Sequence, residues 1–446
     1  MIRPTRIATP VALGVMAVAL LLVALPGWLG WRAEKTYRAL LDELAITTGA
    51  TTSVRRYDRG WLHSEAESVI HLGTTALVVR LHLDHGPLAL EGFAPIMARV
   101  RGELQPTESA GAAAVAPLTL EGATDLRGAT RLTLAWPAGR LPLAAGTLEW
   151  LPWRGHIAIE PAAQRLQMRL EAAAMHFAAA AGDSWRLEAP QLHADLHEGV
   201  GGFPLGNVTA SAARLVYPPH AVIDGGRVSA SARLNGDGVT LAFGARLRSW
   251  KHDAGSIGPG EIALEARRLE PAALLPLLRA LPALLRPAEA ATAAVTLTPL
   301  AALLARKAPE AEIVTLRLQH ASGELTGRGR LRFDGRRLGA NVAAGRLLTA
   351  LGGEAELTLP ASLVRAWLAP ETEGHIADSD LSQHLAEHPY ARLLAPVETG
   401  YRLTATLKHG QLLINDRPWQ CTGMFECRER AGARSDHGSP AALAGP

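Results

Sequence analysis

The chain has 446 residues, of which 48% are hydrophobic and 20% are charged, and its formal net charge is +3. This length and composition predict a folded body with a large core and exclude a chain that is disordered throughout. The basic residues are mostly arginines spread along the chain, with no basic block and no interleaved aromatic residues, so the weak positive charge does not indicate nucleic-acid binding.

The stretch from Ile7 to Trp31 contains no charged side chain. As a helix it would span about 37 Å, which is more than the hydrocarbon core of a bilayer requires. The run is too long for a cleaved signal peptide and ends without a small-x-small cleavage site. We therefore expect a retained transmembrane anchor, residues 7–31, with Trp28 and Trp31 at the lipid interface.

The charges on the two sides of this anchor are nearly balanced, since Arg3 and Arg6 precede it and Arg32, Lys35 and Arg38 follow it. The orientation is therefore predicted from size. A long following domain is translocated largely regardless of its charge, and a tail as short as residues 1–6 is hard to hold outside. We expect the tail in the cytoplasm and the body across the membrane, which in a two-membrane bacterium is the periplasm.

A helix of residues 32–50 is predicted to extend the anchor, since apolar side chains recur there at helical spacing with charges between them. The hydrophobic period then changes to two. The residues from Val54 to Leu72 and from Ala76 to Asp84 predict a pair of strands joined around Gly73.

Two runs in these strands, Tyr57 to Ser64 and Asp84 to Leu88, resemble the paired signature of the YdgA-like family. Two later runs, Ala355 to Pro360 and Tyr401 to Asn415, match in the same order. The family consists of Gram-negative envelope proteins of unknown function that begin with an anchor. The resemblance implies an inner-membrane protein that faces the periplasm, and it implies no activity. The signature residues are Tyr57, Arg59, Gly60, Trp61, Ser64, Asp84, His85, Gly86 and Pro87.

The residue types in this signature favour structural roles. Gly60, Gly86 and Pro87 are interpreted as backbone requirements of a bulge or tight turn. Tyr57 and Trp61 are interpreted as core residues. A partner-binding role for the same residues is the alternative.

From Leu118 to Arg248, alternating segments follow one another with turn signals between them. The clearest hairpin joins two such segments through the residues Asn235 to Gly238. Strands that close so tightly pair antiparallel. The sequence thus predicts a mainly β (α+β) protein, in which a large, twisted antiparallel meander follows the transmembrane helix and carries a few covering helices. Residues 51–250 form the first β lobe, and a Rossmann-type domain is disfavoured.

Residues 251–427 are predicted to form a second β lobe with short helices. In its first helical segment, Pro271 to Leu285, the prolines at 276 and 282 predict two or three short turns instead of one helix. A movable lid, a bilayer contact and ordinary packing on the sheet all stay open for this segment. The remaining predicted elements are helices at Thr298 to Arg306, Ala361 to Leu368 and Asp378 to Leu394, a closing hairpin at Tyr401 to Trp419, and a disordered tail at residues 428–446.

The cysteines Cys421 and Cys427 lie close together near the C-terminus. In an oxidising compartment they would be able to close a small loop. In a helix, a separation of six residues would place them on different faces, which favours two free thiols. Both hypotheses stay open.

His384, Glu387 and His388 match the H-x-x-E-H pattern of inverted zincins, in which two histidines on one helix face hold zinc and the glutamate acts as the base. Pro389 ends this helix at once, and the rest of the chain resembles no peptidase. Our interpretation is ordinary polarity on a solvated helix.

His193, Asp195 and His197 lie on one side of a predicted strand, because successive side chains alternate faces. This is the arrangement of three metal ligands on one face. The residues between them are apolar, and any half-buried antiparallel strand shows the same alternation. We predict no metal and no cofactor for either group.

No nucleophile elbow, Walker loop, dinucleotide-binding turn or C-x-x-C pair occurs in the sequence. We therefore expect a non-enzymatic envelope protein whose β-rich body binds a lipid or another apolar ligand, because a sheet with one apolar face must cover that face. The alternative is a structural or partner-binding module that self-associates through its sheet edges and has no ligand cavity. A periplasmic zinc hydrolase at His384, Glu387 and His388 is the third hypothesis.

Overall fold

The computed structural model describes most of the chain between residues 28 and 429. The described residues are 28–42, 44–45, 50–72, 75–85, 90–91, 94–107, 116–143, 146–179, 182, 184–217, 221–252, 255–284, 303, 307–321, 323–334, 350–368, 393–398, 400–408, 411–421 and 427–429. The chain divides into two compact units, Met1–Leu300 and Ala301–Pro446. This division lies later than the predicted lobe boundary at residue 250, because the strand that ends at Leu269 still pairs within the first sheet.

Segments with alternating polar and apolar side chains form the strands of the first unit. In chain order they are β1 (Thr51–Arg59), β2 (His63–Leu72), β3 (Thr75–His85), β4 (Leu90–Glu91), β5 (Ala94–Pro106), β6 (Leu118–Asp125), β7 (Thr130–Trp136), β8 (Gly139–Leu143), β9 (Gly146–Trp150), β10 (Trp153–Glu160), β11 (Arg165–Ala172), β12 (Ala174–Ala179), β13 (Ser184–Glu188), β14 (Gln191–Glu198), β15 (Pro204–Tyr217), β16 (Ala221–Asn235), β17 (Gly238–Leu247), β18 (Ser249–His252) and β19 (Gly255–Leu269).

The described strand pairs of this unit are antiparallel, which confirms the predicted meander. Its main order is β1-β2-β3-β5-β6-β7-β10-β11-β14-β15-β16-β17-β19. A run of shorter strands, β8-β9-β12-β13, joins the C-terminal half of β15. β18 lies between β16 and β19, and β4 pairs with the start of β5.

The prediction of one strand from Val54 to Leu72 is wrong, since a tight turn separates β1 from β2. The backbone N–H of Gly60 donates a hydrogen bond of 2.9 Å to the carbonyl of His63. A Cβ atom at residue 60 would lie 2.7 Å from that oxygen, so the turn requires glycine. The backbone role predicted for Gly60 is confirmed.

The hairpin predicted at Asn235 to Gly238 is also confirmed. Asn235 and Gly238 are cross-strand partners of β16 and β17, and Gly236 in the turn has a φ of +64°. A two-residue turn of this kind needs positive φ, which glycine adopts without steric cost.

The helices of the first unit are short. α1 covers residues 28–42, which confirms helix in the first part of the predicted range 32–50, and two 3-10 turns lie at Pro161–Ala163 and Val200–Gly202. Among the described residues, no helix combines the length and apolarity needed to cross a bilayer. The predicted anchor, residues 7–31, lies outside the described residues except for 28–31.

α2 (Pro271–Leu284) is one helix, so the prediction of two or three separate turns is wrong. Pro271 occupies its first position, where the missing N–H costs nothing. Ala273 and Leu274 are buried, and the helix packs against the 3-10 turn at Val200–Gly202. Ordinary packing therefore describes the first turn of this segment.

The described strands of the second unit also pair antiparallel. Its strands are β20 (Glu310–His320), β21 (Gly323–Phe333), β22 (Leu351–Pro360), β23 (Ala395–Val397), β24 (Gly400–Lys408), β25 (Gln411–Ile414), β26 (Arg417–Cys421) and β27 (Cys427–Glu429). The order is β20-β21-β22-β24-β25-β26-β27, and β23 also pairs with β24. α3 (Ala361–Leu368) is confirmed. The closing hairpin predicted at Tyr401 to Trp419 forms three consecutive antiparallel strands, β24 to β26, instead of two.

Two predicted elements of this unit fall almost wholly outside the described residues. They are the helices at Thr298 to Arg306 and Asp378 to Leu394. Cys421 and Cys427 are cross-strand partners of β26 and β27, so the helical arrangement that would separate them is wrong.

Candidate functional site

The main sheet of the first unit has one apolar side along its whole width. Residues that are directly opposite one another in register project to the same side of a sheet. Across the main sheet these positions are mostly Leu, Ile, Val, Ala, Met, Phe and Gly, and we call this side the apolar face. Representative members, one from each of nine strands, are Leu81, Val100, Leu120, Leu134, Ile157, Met168, Val208, Val228 and Phe243.

Part of the apolar face is open to solvent in the described structure. Val228, Leu234 and Phe243 are 44%, 44% and 42% exposed, and Ile159 is 38% exposed. Large exposed apolar side chains on one face of a regular sheet are typical of a binding surface. The exposed part of the apolar face therefore lies mainly on β16 and β17, next to the last strand of the main order.

A row of irregular residues crosses the sheet from β7 to β19. Elsewhere in these strands every second residue lies on the apolar face. At the row one additional residue intervenes, so that Ala172 is followed on this face by Met175, and Leu247 by Trp250. The row consists of register neighbours, and its members are Pro137, Pro152, Ala173, Ala189, Ala213, Gly225, Arg248 and Pro259.

This row preserves the register of the strands. Trp136 is opposite Trp153 before the row and Gly139 is opposite Trp150 after it, which is one continuous register. Ala189 and Gly225 have φ values of +46° and +63°, which lie in the left-handed region. The rings of Trp136 and Trp150 lie on opposite sides of the row with their centroids 4.1 Å apart. The apolar face thus continues across the row at this point.

The opposite side of the sheet is polar and carries several ion pairs. Asp195 accepts two hydrogen bonds from Arg165, at 2.8 and 2.5 Å. The Arg165 guanidinium lowers the pKa of Asp195 to about 2. Similar pairs join Arg246 to Glu261 and Arg233 to Glu265. Exposed pairs of this kind keep this side soluble and contribute little to stability.

These contacts bear on the first group of predicted metal ligands. His193, Asp195 and His197 do share the polar side of β14, as their spacing predicts. The Asp195 carboxylate is occupied by Arg165, a strong bidentate partner. Among the described residues, no cluster of histidine, cysteine and carboxylate side chains has the arrangement of a metal site. His384, Glu387 and His388 lie outside the described residues.

A shallow cavity of 370 Å³ lies on the polar side of β1 to β6. Its walls carry arginines and glutamates in nearly equal number, among them Glu65, Glu67, Arg80 and Arg101. Because these charges compensate one another, the cavity has no strong preference for an anion or a cation.

The first strands of the sheet hold α1 on the apolar face. Tyr37 donates a hydrogen bond of 2.7 Å to the hydroxyl of Ser68, and its ring lies 6.1 Å from that of Tyr57. Tyr37 and Leu41 are buried in the same cluster as Ile70. This contact continues towards the start of the helix, and we call the whole contact of α1 with β1 to β3 the helix dock.

A buried Ser–His pair forms the other end of the helix dock. The Ser64 hydroxyl and His85 Nε2 are 2.9 Å apart, and the two side chains are 0% and 3% exposed. A Cβ atom at Gly30 would lie only 3.1 Å from His85 Nε2, so α1 approaches the pair very closely. Burial lowers the pKa of His85, which favours the neutral imidazole beneath the helix.

The helix dock brings together several of the signature residues. Tyr57, Ser64 and His85 line it, and Arg59 lies 3.8 Å from Glu34 of α1. The prediction that Trp61 belongs to the core is wrong, because it lies in the β1–β2 turn and is 55% exposed.

Asp84 lies on the other side of β3 from His85. It accepts hydrogen bonds from His82 and Arg101, both at 2.9 Å. Gly86 and Pro87 lie outside the described residues.

Sequence reasoning missed Gly30, Tyr37 and Ser68 as parts of this site. A signal was present in β2, where Ser64 and Ser68 interrupt the apolar side of an alternating strand. Small hydroxyl side chains at such positions allow a helix to approach and supply hydrogen bonds to it. The helix that uses them was not identifiable from the spacing alone.

The model of a protein family described as "Bacterial protein of unknown function (DUF945)" matches residues 8–421 of the chain. The chain belongs to this family. The matched range of this DUF945 protein includes α1, the helix dock and the whole main sheet. No curated protein and no solved structure matches the chain.

Proposed function

We propose that this DUF945 protein is a membrane-anchored envelope protein whose first unit binds a lipid or a lipid-like apolar ligand on the apolar face. The observation that supports this proposal is the width of the apolar face. It continues through the main sheet while Val228, Leu234 and Phe243 stay more than two-fifths exposed. Covering such a surface with hydrocarbon removes apolar area from water at about 25 cal/mol per Å².

The protein acts in this proposal by binding and without catalysis. The Ser64–His85 pair has the atoms of a nucleophile and a base, but it is fully packed beneath α1. Asp84, the carboxylate next to His85 in sequence, lies on the other side of the sheet and is held by Arg101. A hydrolase needs its nucleophile accessible to substrate and its base oriented by a third group.

The placement follows from the charge-free stretch, residues 7–31, and from the resemblance to envelope proteins. We assign the anchor to the inner membrane in a single pass and the body to the periplasm. α1 links the two in this proposal, since its first residues, 28–31, are the last of this stretch and its later residues lie in the helix dock.

Photo-crosslinking on β17 tests the binding proposal. A benzoylphenylalanine at Phe243 would face the ligand, whereas the same residue at Arg246 would face the polar side. We expect lipid adducts, detected by mass spectrometry of the full chain crosslinked in native membranes, at position 243 and not at 246.

The same experiment distinguishes the alternatives. Crosslinks at position 243 to a second copy of the chain, without lipid, would favour the self-associating module. Equal lipid labelling at both positions would show non-specific contact and would refute the apolar face as a binding site.

A further inference from the structure

Four large exposed side chains cluster at one end of α1. Trp28 and Trp31 of the helix are 49% and 44% exposed, and Trp61 and Leu62 of the β1–β2 turn are 55% and 47% exposed. Neither pair takes part in the helix dock or in the apolar face. The turn, residues 60–62, and the start of the helix come from different parts of the sequence.

Contacts of the described residues place the turn beside the start of α1. The Leu62 carbonyl accepts a hydrogen bond of 2.6 Å from the backbone N–H of His85, and the His85 ring contacts the helix at Gly30. Arg59, immediately before the turn, lies 3.8 Å from Glu34. At the other end of the strand, Thr52 bonds to the Leu41 carbonyl. α1 therefore runs away from the turn along β1.

The direction of the helix gives the turn its position relative to the charge-free stretch. Trp28 and Trp31 are the last part of that stretch. If residues 7–31 cross a bilayer, the two tryptophans lie at the level of the lipid headgroups. The β1–β2 turn, beside the same end of the helix, then lies at that level too.

The chemistry of the cluster matches a lipid interface. Arg32 lies over the Trp28 ring at 5.4 Å and Lys35 over the Trp31 ring at 4.3 Å. Tryptophan next to a cation is the usual composition of the headgroup region, where the ring is half buried and the cation meets lipid phosphate. A water-facing turn gains nothing from Trp61 and Leu62 at its tip.

We propose that the β1–β2 turn inserts Trp61 and Leu62 into the same bilayer surface as Trp28 and Trp31. This inference rests on the proposed membrane attachment. The body then meets the membrane at two points, the helix and the turn, and cannot rotate freely about its anchor. The near edge of the main sheet is thereby held at the lipid surface.

Depth-dependent fluorescence quenching tests the second contact. The full chain, with both cysteines replaced by serine, would carry Leu62→Cys labelled with the fluorophore NBD. It would be reconstituted into vesicles of phosphatidylethanolamine and phosphatidylglycerol that contain lipids with a nitroxide near the headgroup. We expect several-fold stronger quenching than for the matched label at Leu126→Cys, which is 54% exposed in the β6–β7 turn.

A label at Trp31→Cys reports the anchor separately. Strong quenching at positions 31 and 62 supports the proposal. Strong quenching at 31, with position 62 no different from 126, overturns the second contact and leaves the anchor intact. A blue-shifted but unquenched label at 62 would indicate a protein contact and would also overturn it. No quenching at 31 would overturn both the anchor and the inference.

Discussion

At the scale of single residues, the helix dock depends on polar groups in an apolar setting. Ser64 and Ser68 are completely buried and each has a hydrogen-bond partner, His85 and Tyr37 respectively. A buried polar group costs free energy unless it is paired, so these pairs fix which part of α1 lies on which part of the sheet. The signature residues Ser64 and His85 therefore help to position α1 on the sheet.

His85 makes the stability of the protein depend on pH. Its pKa is lowered in the folded state by burial, so the folded protein binds fewer protons than the unfolded chain below about pH 6.5. The contribution of His85 to stability is fully present above that pH and is lost as the pH falls from there through the lowered pKa of the folded state. We expect His85→Gln to reduce this loss, measured by denaturant unfolding in detergent at pH 7.5 and pH 5.5.

The matched control for this experiment is His71→Gln, an exposed residue on the other side of β2. It should keep the pH dependence of the wild type. If His85→Gln lost as much stability on acidification as the wild type does, the protonation of His85 beneath α1 would not be responsible.

At the scale of elements, the row of irregular residues explains how long strands keep one apolar side. β15 has 14 residues and would span about 46 Å if fully extended. Strands of this length twist strongly, and bulges take up the bend. Because the irregular residues of neighbouring strands from β7 to β19 are opposite one another, the strands on both sides of the row keep one register.

Gly225 is the position in this row where the backbone conformation is most clearly specific. Its φ of +63° disfavours any side chain, and a Cβ atom there would lie 3.1 Å from the Cβ of Arg248. We expect Gly225→Ala to lower the free energy of unfolding by about 1–2 kcal/mol, measured by chemical denaturation.

Gly226→Ala serves as the neighbouring control. Its Cβ would meet nothing closer than Ile223 at 3.8 Å, so the substitution should be neutral or stabilise by about 0.5–1 kcal/mol. Equal destabilisation by the two alanines would show that the row tolerates ordinary strand geometry.

At the scale of the whole molecule, the proposed arrangement has a direction. The anchor leads into α1, α1 lies on the first strands, and the apolar face begins beneath it and continues across the sheet. A ligand from the bilayer would thus reach the apolar face beyond the strands that α1 covers. This proposal requires the body to be on the periplasmic side.

A fusion of alkaline phosphatase after Pro446 tests that placement. The enzyme needs disulfides and is active only outside the cytoplasm, so we expect an active fusion. A cytoplasmic green fluorescent protein fused at the same position should be dark in comparison. The opposite result would place the body in the cytoplasm and would overturn the envelope role.

Local sequence information determined much of this protein. The alternation from Thr51 onward determined the antiparallel strands, and Gly236 determined the sharpest hairpin, because side-chain period and turn conformation are local properties. The histidines of β14 lie on one side of the sheet, as their spacing predicts. That Arg165, a residue of another strand, binds the carboxylate of Asp195 between them is visible only in the structure. The helical character of α1 was also visible from its apolar spacing.

Only the tertiary structure decided which side chains meet. The Tyr37–Ser68 and Ser64–His85 pairs, the exposure of Trp61 and the alignment of the irregular row all depend on the packing or register of segments far apart in the chain. In the sequence, an irregular residue is only a local interruption of the alternation in one strand. The register of the sheet is needed to show that the irregular residues of neighbouring strands lie opposite one another. The sequence by itself established an apolar side for each strand, whereas register joined these sides into one face.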